Sequence, residues 1–118
     1  MTCVAPLLEF VFAPALGQAQ AWSPLGDGTY GVVTAIAIDG NNVYVGGKLT
    51  YAGKVCANYV AKWDNTIKSW SSLGSGSGVN NLVLALEIDS DESLYVGGAF
   101  KTSGAISEHN VAKWKNNN

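Results

Sequence analysis

The sequence predicts an all-β fold built from two copies of one four-stranded antiparallel unit. The first observation is an internal repeat, because Tyr-Val-Gly-Gly at 44–47 and Val-Ala-Lys-Trp at 60–63 both return 51 residues later. The second is composition: the chain has 14 glycines and only 3 prolines, which suits many tight turns rather than disorder. The third is that turn-forming residues separate apolar stretches too short for helices.

Size and charge set the first limits on function. The chain has 118 residues, enough for one small domain with a modest core. It is 47% hydrophobic, carries a net charge of -2, and all of its basic residues are lysines. Nucleic-acid binding is not expected, because neither a basic stripe nor bidentate arginine contacts are available.

Residues 1–21 have the character of a signal-peptide-like leader. An apolar stretch covers 4–16, and Ala19, Gln20 and Ala21 have the small-x-small form of a cleavage site. No lysine or arginine precedes this stretch and Glu9 lies within it, so an extra strand or a tail is the alternative. A membrane span is not expected from so short a stretch. A cleaved leader would indicate a secreted or cell-surface protein.

Residues 22–118 contain the repeat, and each strand type occurs twice. The near-continuous apolar stretches 32–38 and 82–88 predict inner strands buried on both faces. The polar residues that follow each stretch predict a hairpin to a second strand that ends in the Gly-Gly pair. Loops at 48–58 and 99–109 then lead to third strands, each with one tryptophan. The fourth type is predicted at 67–73 and again, before the first unit, at 22–25, where Pro24 requires a sheet edge.

The predicted boundaries leave the second unit incomplete. The first whole unit covers about 32–73, whereas the second covers about 82–118 and lacks its last strand. The segment 22–25 is a stray strand of this missing type. Four-stranded units with a period of about 45–50 residues are typical of β-propeller blades.

The repeated motifs resemble those of Kelch-like propellers and, in detail, the repeats of Rax2-like (cortical marker) proteins. The resemblance covers 22–118 and rests on Tyr-Val-Gly-Gly, Val-Ala-Lys-Trp and Trp-x-x-Leu-Gly. It implies blades arranged around a central channel but no single activity. The copper ligands of an oxidase-like propeller need two histidines and two tyrosines. Because the only histidine is His109, that activity is not carried over, and no enzyme and no cofactor are expected.

Two blades cannot form a ring, since propellers close with about four to eight. An isolated pair would leave an apolar face uncovered at each end and edge strands open to pairing. Either the missing blades belong to a longer chain, or the protein is a homo-oligomer in which 22–25 completes the second unit of a neighbouring copy. Three copies would make six blades and four copies would make eight.

Candidate site residues are few. The acidic turn with Asp89, Asp91 and Glu92 lacks the glycine and distal glutamate of a helix-loop-helix calcium site, so a solvated turn is expected and no metal. Of the two cysteines, Cys3 lies in the leader, and Cys56 of the repeat region has Ser107 as its counterpart. Cys56 is therefore expected to be a lone thiol, either a small semi-buried loop residue or a reactive group, without a disulfide framework or zinc site. The four tryptophans match in position and are expected to pack in cores or between blades, with sugar stacking as the alternative.

Propeller topology predicts one face where recognition loops meet. Its ligand-binding candidates are Tyr30, Tyr51, Asn80, Asn81 and His109, accompanied by Asp27, Lys54, Lys101 and Glu108. Three functions follow as hypotheses. The first is a non-enzymatic, extracytoplasmic scaffold for adhesion, protein binding or self-assembly. The second is a carbohydrate-binding module that uses the loop face. The third is a non-catalytic fragment of a larger propeller enzyme.

Overall fold

The computed structural model describes residues 21–73, 78–103, 106–107 and 110–115, and all regular secondary structure in these ranges is β. Every strand pair is antiparallel. The predicted all-β class is therefore confirmed. The strands are β1 (Thr29–Asp39), β2 (Asn42–Ala52), β3 (Val55–Cys56), β4 (Val60–Asp64), β5 (Ser69–Ser72), β6 (Val83–Ile88), β7 (Leu94–Gly98), β8 (Thr102–Ser103), β9 (Ile106–Ser107) and β10 (Val111–Trp114).

The internal repeat extends to strand order and register. In the first unit the order is β1-β2-β4-β5, with β3 paired to the end of β2. In the second unit the order is β10-β7-β6, and β8 and β9 form a separate hairpin. The pair Tyr51 and Cys56 of the first unit corresponds to the pair Thr102 and Ser107 of the second. Among the described residues the second sheet has three strands where the first has four along its main path.

The glycine pairs lie opposite a bulge that recurs in both units. The register of β1 shifts between Val33 and Ala35, and that of β6 shifts between Val83 and Ala85. A Cβ atom on Gly47 would lie 2.1 Å from the Val32 carbonyl oxygen, so the backbones approach too closely for any side chain. The prediction that the second strand of the first unit ends at these glycines is wrong, because β2 continues through them to Ala52.

The two units share one core because the second packs a sheet face onto the first. Each sheet has a front face, which carries Tyr44 in the first unit and Tyr95 in the second, and an opposite back face. The back face of the second unit, with Val83, Leu86 and Val96, lies against the front face of the first, with Tyr44 and Val60. A second cluster lies within the first unit, where Trp63 and Trp70 have ring centroids 5.3 Å apart.

Close packing between the units depends on Gly46. A Cβ atom at this position would lie 2.5 Å from Val83 Cγ1, so only a glycine lets β6 approach. The hydroxyl of Thr34 donates a hydrogen bond to the Val83 carbonyl oxygen, which joins β1 to β6 at the same point.

Two expectations about burial are wrong. Neither inner strand is buried on both faces: Val33, Ile36 and Ile38 on the back face of β1 are exposed, and so are Leu84 and Glu87 of β6. Only the front side of β1 meets the other sheet. The segment 22–25 is not a strand, and Trp22 is fully exposed, so the expectation that all four tryptophans pack in cores is wrong for this residue. The Leu25 carbonyl oxygen instead accepts a 3.0 Å hydrogen bond from Trp70 Nε1.

The predictions for the leader, for Cys56 and for a membrane span have separate outcomes. Residues 1–20 of the predicted leader lie outside the described residues. Cys56 is disulfide-bonded, so the expected lone thiol is wrong. Within the described part of the chain there is no helix with the length and apolar character to cross a membrane.

Replacing Gly46 with alanine should destabilise the fold by about 1–3 kcal/mol, because the added methyl group forces Val83 away from its rotamer. Urea unfolding followed by tryptophan fluorescence would measure the change. Gly97→Ala is the matched control, since a Cβ atom there meets nothing closer than 3.8 Å and should cost little. Equal stability of the two variants would contradict the packing described.

Candidate functional site

The predicted loop face lies where the inner strands begin and the second strands end. We call this the loop edge, and it comprises the described residues of 26–31, 48–58, 78–82 and 99–103. Backbone hydrogen bonds tie its segments together: the Gly53 amide donates to the Gly28 carbonyl at 2.7 Å, and the Val79 amide donates to the Asn58 carbonyl at 3.3 Å. Val79 also bridges to Ser103. The loop edge is therefore a connected scaffold that spans both units.

Tyr30 and Tyr51 lie on strands rather than in loops. They are cross-strand neighbours on β1 and β2, with ring centroids 6.2 Å apart and planes at 83°. This edge-to-face contact stabilises the strand ends and leaves both tyrosines half-buried. The structure thus brings two of the predicted ligand-binding residues together, but each ring is already packed against the other.

The carboxamide oxygens of Asn80 and Asn81 bind the protein's own backbone. Asn80 Oδ1 accepts hydrogen bonds from the amides of Lys101 at 2.8 Å and Thr102 at 3.1 Å. Asn81 Oδ1 accepts one from the Leu82 amide at 2.7 Å. Asn80 therefore fixes the segment that enters β8, a role the sequence did not predict because the two positions are 21 and 22 residues away.

His109 and its neighbour Glu108 lie outside the described residues. Asp27, Lys54 and Lys101 are exposed on the loop edge. The structure thus assembles Tyr30 with Tyr51, and places Asn80 beside Lys101 through the backbone. Carbohydrate binding at this edge stays a prediction.

The acidic turn between β6 and β7 is organised by Asp89. Its Oδ1 accepts hydrogen bonds from the amides of Asp91 at 2.9 Å and Ser93 at 3.0 Å, and its Oδ2 accepts one from the Tyr95 hydroxyl at 2.9 Å. The Ser93 amide and then the Tyr95 hydroxyl lower the pKa of this carboxyl group, and the same bond raises the pKa of Tyr95. The Asp89 carboxylate therefore stabilises its own turn through these three hydrogen bonds. Within the described ranges no cluster of three or more His, Cys, Asp or Glu could hold a metal ion.

Two sheet faces carry part of the exposed apolar surface. One is the back face of the first unit, where Val33, Ile36 and Ile38 are exposed. The other is the front face of the second unit, where Tyr95 and Val111 are exposed beside Gly97. The front face of the first unit and the back face of the second, which lie between the units, are buried. Hydrophobic faces of this kind are typical of interaction surfaces.

Comparison with known proteins gives one partial similarity. The chain is 38% identical over 53 residues to the polarized growth protein rax2 of Schizosaccharomyces pombe. The match covers 43% of this chain and 5% of rax2, so the chain spans a small part of that protein's length. No family model and no solved structure matches the chain.

Asn80→Ala should release the segment 99–103, because it removes the acceptor of two backbone amides. The expected loss of stability is about 1–2 kcal/mol, from two hydrogen bonds of typical net strength. Amide hydrogen exchange at Lys101 and Thr102 would accelerate. Asn80→Asp keeps an oxygen in place and should retain the protection. Unchanged exchange in Asn80→Ala would contradict this role.

The turn at Asp89 should make stability depend on pH. Because its folded pKa lies below the unfolded value of about 3.9, its stabilisation is present above that value and is lost as pH falls through the folded pKa. Asp89→Asn should flatten the acid limb of a plot of unfolding free energy against pH. Tyr95→Phe, which removes one of the hydrogen bonds, should flatten it partly. An unaltered acid limb in Asp89→Asn would show that the carboxylate is not bound as described.

Proposed function

We propose that the chain is a two-unit β-propeller segment that acts as a non-enzymatic scaffold in a polarized-growth protein of the rax2 type, at the cell surface. The observation that carries this proposal is the back-to-front packing of two equivalent sheets. The back face of one antiparallel meander, with Val83 and Leu86, lies on the front face of the next, with Tyr44 and Val60. Propellers are built by repeating this face-to-face contact between meander sheets.

The similarity to rax2 supports the assignment to polarized growth. It covers 53 residues, about the length of one repeat unit, at 38% identity. The motifs that resemble Rax2-like repeats are those that build the sheets: the glycines opposite the bulge and the Val-Ala-Lys-Trp strand. The disulfide bond of Cys56 supports a cell-surface location, because disulfide bonds persist in oxidising environments.

The scaffold role is supported by how the polar groups of the described residues are used. Asp89 binds backbone amides of its own turn, and Asn80 binds backbone amides of the neighbouring segment. Tyr30 and Tyr51 pack against each other. These side chains stabilise the sheet ends, which is the property of a rigid platform on which loops are displayed.

Replacement of the matching segment of rax2 in Schizosaccharomyces pombe by the segment of this chain tests the proposal. The chimera should support polarized growth, measured as cell shape and growth at the cell ends, because both segments are expected to form the same unit. A strain from which the segment is deleted gives the reference for lost polarity. A matched chimera with an unrelated all-β segment of equal length should fail. Loss of polarity in the first chimera at normal protein level would contradict the proposal.

A further inference from the structure

We propose that a second copy of this chain docks head to tail, with the back face of its first unit on the front face of the second unit of its neighbour. The inference goes beyond the scaffold function, because it names the occupant of the two exposed faces. Its template is the contact between the two units inside the chain, where a back face already covers a front face.

The front faces of the two units carry the same residues at four equivalent positions. Ala35, Tyr44, Gly46 and Val60 in the first unit become Ala85, Tyr95, Gly97 and Val111 in the second. Tyr44 is 4% exposed and Tyr95 is 37% exposed, whereas Val60 and Val111 are 1% and 62% exposed. The surface that covers the first front face is therefore missing from the second.

The back faces match in the same way. Val83 and Leu86 of the second unit correspond to Val33 and Ile36 of the first. Val83 is fully buried between the units, whereas Val33 is 37% exposed. Leu73, which precedes the second inner strand, is buried in the shared core, while its counterpart Leu25 is exposed. Each chain thus presents an uncovered front face on its second unit and, along β1, the uncovered part of a back face. On β2 and β4 of that back face, Val45 and Ala61 are already buried beside Trp63 and Trp70, so the contact between chains is smaller than the contact within one.

The open space above Gly97 has room for a valine side chain of a second copy. At Gly46 the space above the glycine is filled by Val83, whose Cγ1 would lie 2.5 Å from an added Cβ atom. At Gly97 the nearest atoms to an added Cβ lie 3.8 Å away or farther and belong to the same unit. Val33 of a second copy carries the same side chain as Val83 and fits the open position.

The outer strand edges are complementary as well. In the first unit β4 pairs with β5, and Trp63 lies opposite Trp70. Among the described strands β10 pairs with β7 alone, so its other edge is free of a sheet neighbour. Trp22 begins the same Trp-Ser-x-Leu sequence as Trp70 and is fully exposed. In the docked pair, Trp22 takes the position opposite Trp114 that Trp70 takes opposite Trp63.

Two differences make the contact between chains weaker than the contact within one. Leu84 stands at the position of Thr34, so the hydrogen bond to the valine carbonyl is lost. Glu87 stands at the position of Ala37, which within the chain borders an open groove between β1 and β6. The Glu87 carboxylate would lie at the border of the contact between chains and stay hydrated there. It therefore reduces the apolar contact area without being buried. Association is therefore expected to depend on concentration.

The contact is heterologous, since it joins two different surfaces of identical chains, and it forms rings where the rotation closes. A head-to-tail contact predicts that two variants, each lacking a different face, associate with each other but not with themselves. Ile36→Lys removes the back face and Val111→Lys removes the front face; both side chains are exposed, so each monomer should fold. Ile67→Lys changes an equally exposed apolar residue in the turn before β5 and is the matched control.

The test is the mass of the full chain by sedimentation equilibrium across a concentration series, with circular dichroism to verify folding. The wild type and Ile67→Lys should associate beyond one chain, while each face variant alone should remain a single chain. An equal mixture of Ile36→Lys and Val111→Lys should give the mass of two chains, because one intact contact remains. Gly97→Val repeats the test of the front face should Val111→Lys fail to fold.

A folded wild-type chain that stays single at every concentration overturns the proposal and assigns the two faces to a different partner. So does association of Ile36→Lys by itself, which would mean that the back face is not used. A mixture of the two face variants that remains single chains also overturns it, because a head-to-tail contact must be restored by complementary faces.

Discussion

The structure depends on the contact of Val83 with the open backbone at Gly46. The absence of a side chain at Gly46 lets β6 lie against the first sheet, and Val83 fills that space completely. Around this contact the aromatic ring of Tyr44 and the side chains of Val60 and Leu86 form the shared core. Burial of apolar area is the main favourable term in folding, so the attachment of the second unit to the first relies on this interface.

The same geometry explains the repeated bulge. Gly47 and Gly98 lie opposite the inner strand at the point where its register shifts, and at both positions the opposing carbonyl oxygen leaves no room for a side chain. A bulge increases the local twist of a sheet. Sheets twisted alike present faces of the same shape, which allows the back of one unit to fit the front of the next.

The loop edge has a different physical basis. It is maintained by hydrogen bonds from backbone to backbone and from Asn80 to backbone, rather than by apolar contact. Buried or half-buried backbone groups need such partners, and here they come from segments distant in sequence. The result is a firm edge on which exposed residues such as Lys54 and Lys101 are presented.

The sequence by itself determined the repeat, the all-β class and the antiparallel order of the strands. These follow from local rules, because turn residues, β-branched stretches and repeated motifs act over short distances. The tertiary structure decided which of the equivalent side chains are buried and which distant segments are in contact. Ile36 and Leu86 occupy equivalent positions in similar strands, yet one is exposed and the other buried, because only the second meets a neighbouring sheet. The ring contact of Tyr30 with Tyr51 and the hydrogen bond from the Lys101 amide to Asn80 were not predicted. Both join segments far apart in sequence, and such contacts form only once the sheets pack.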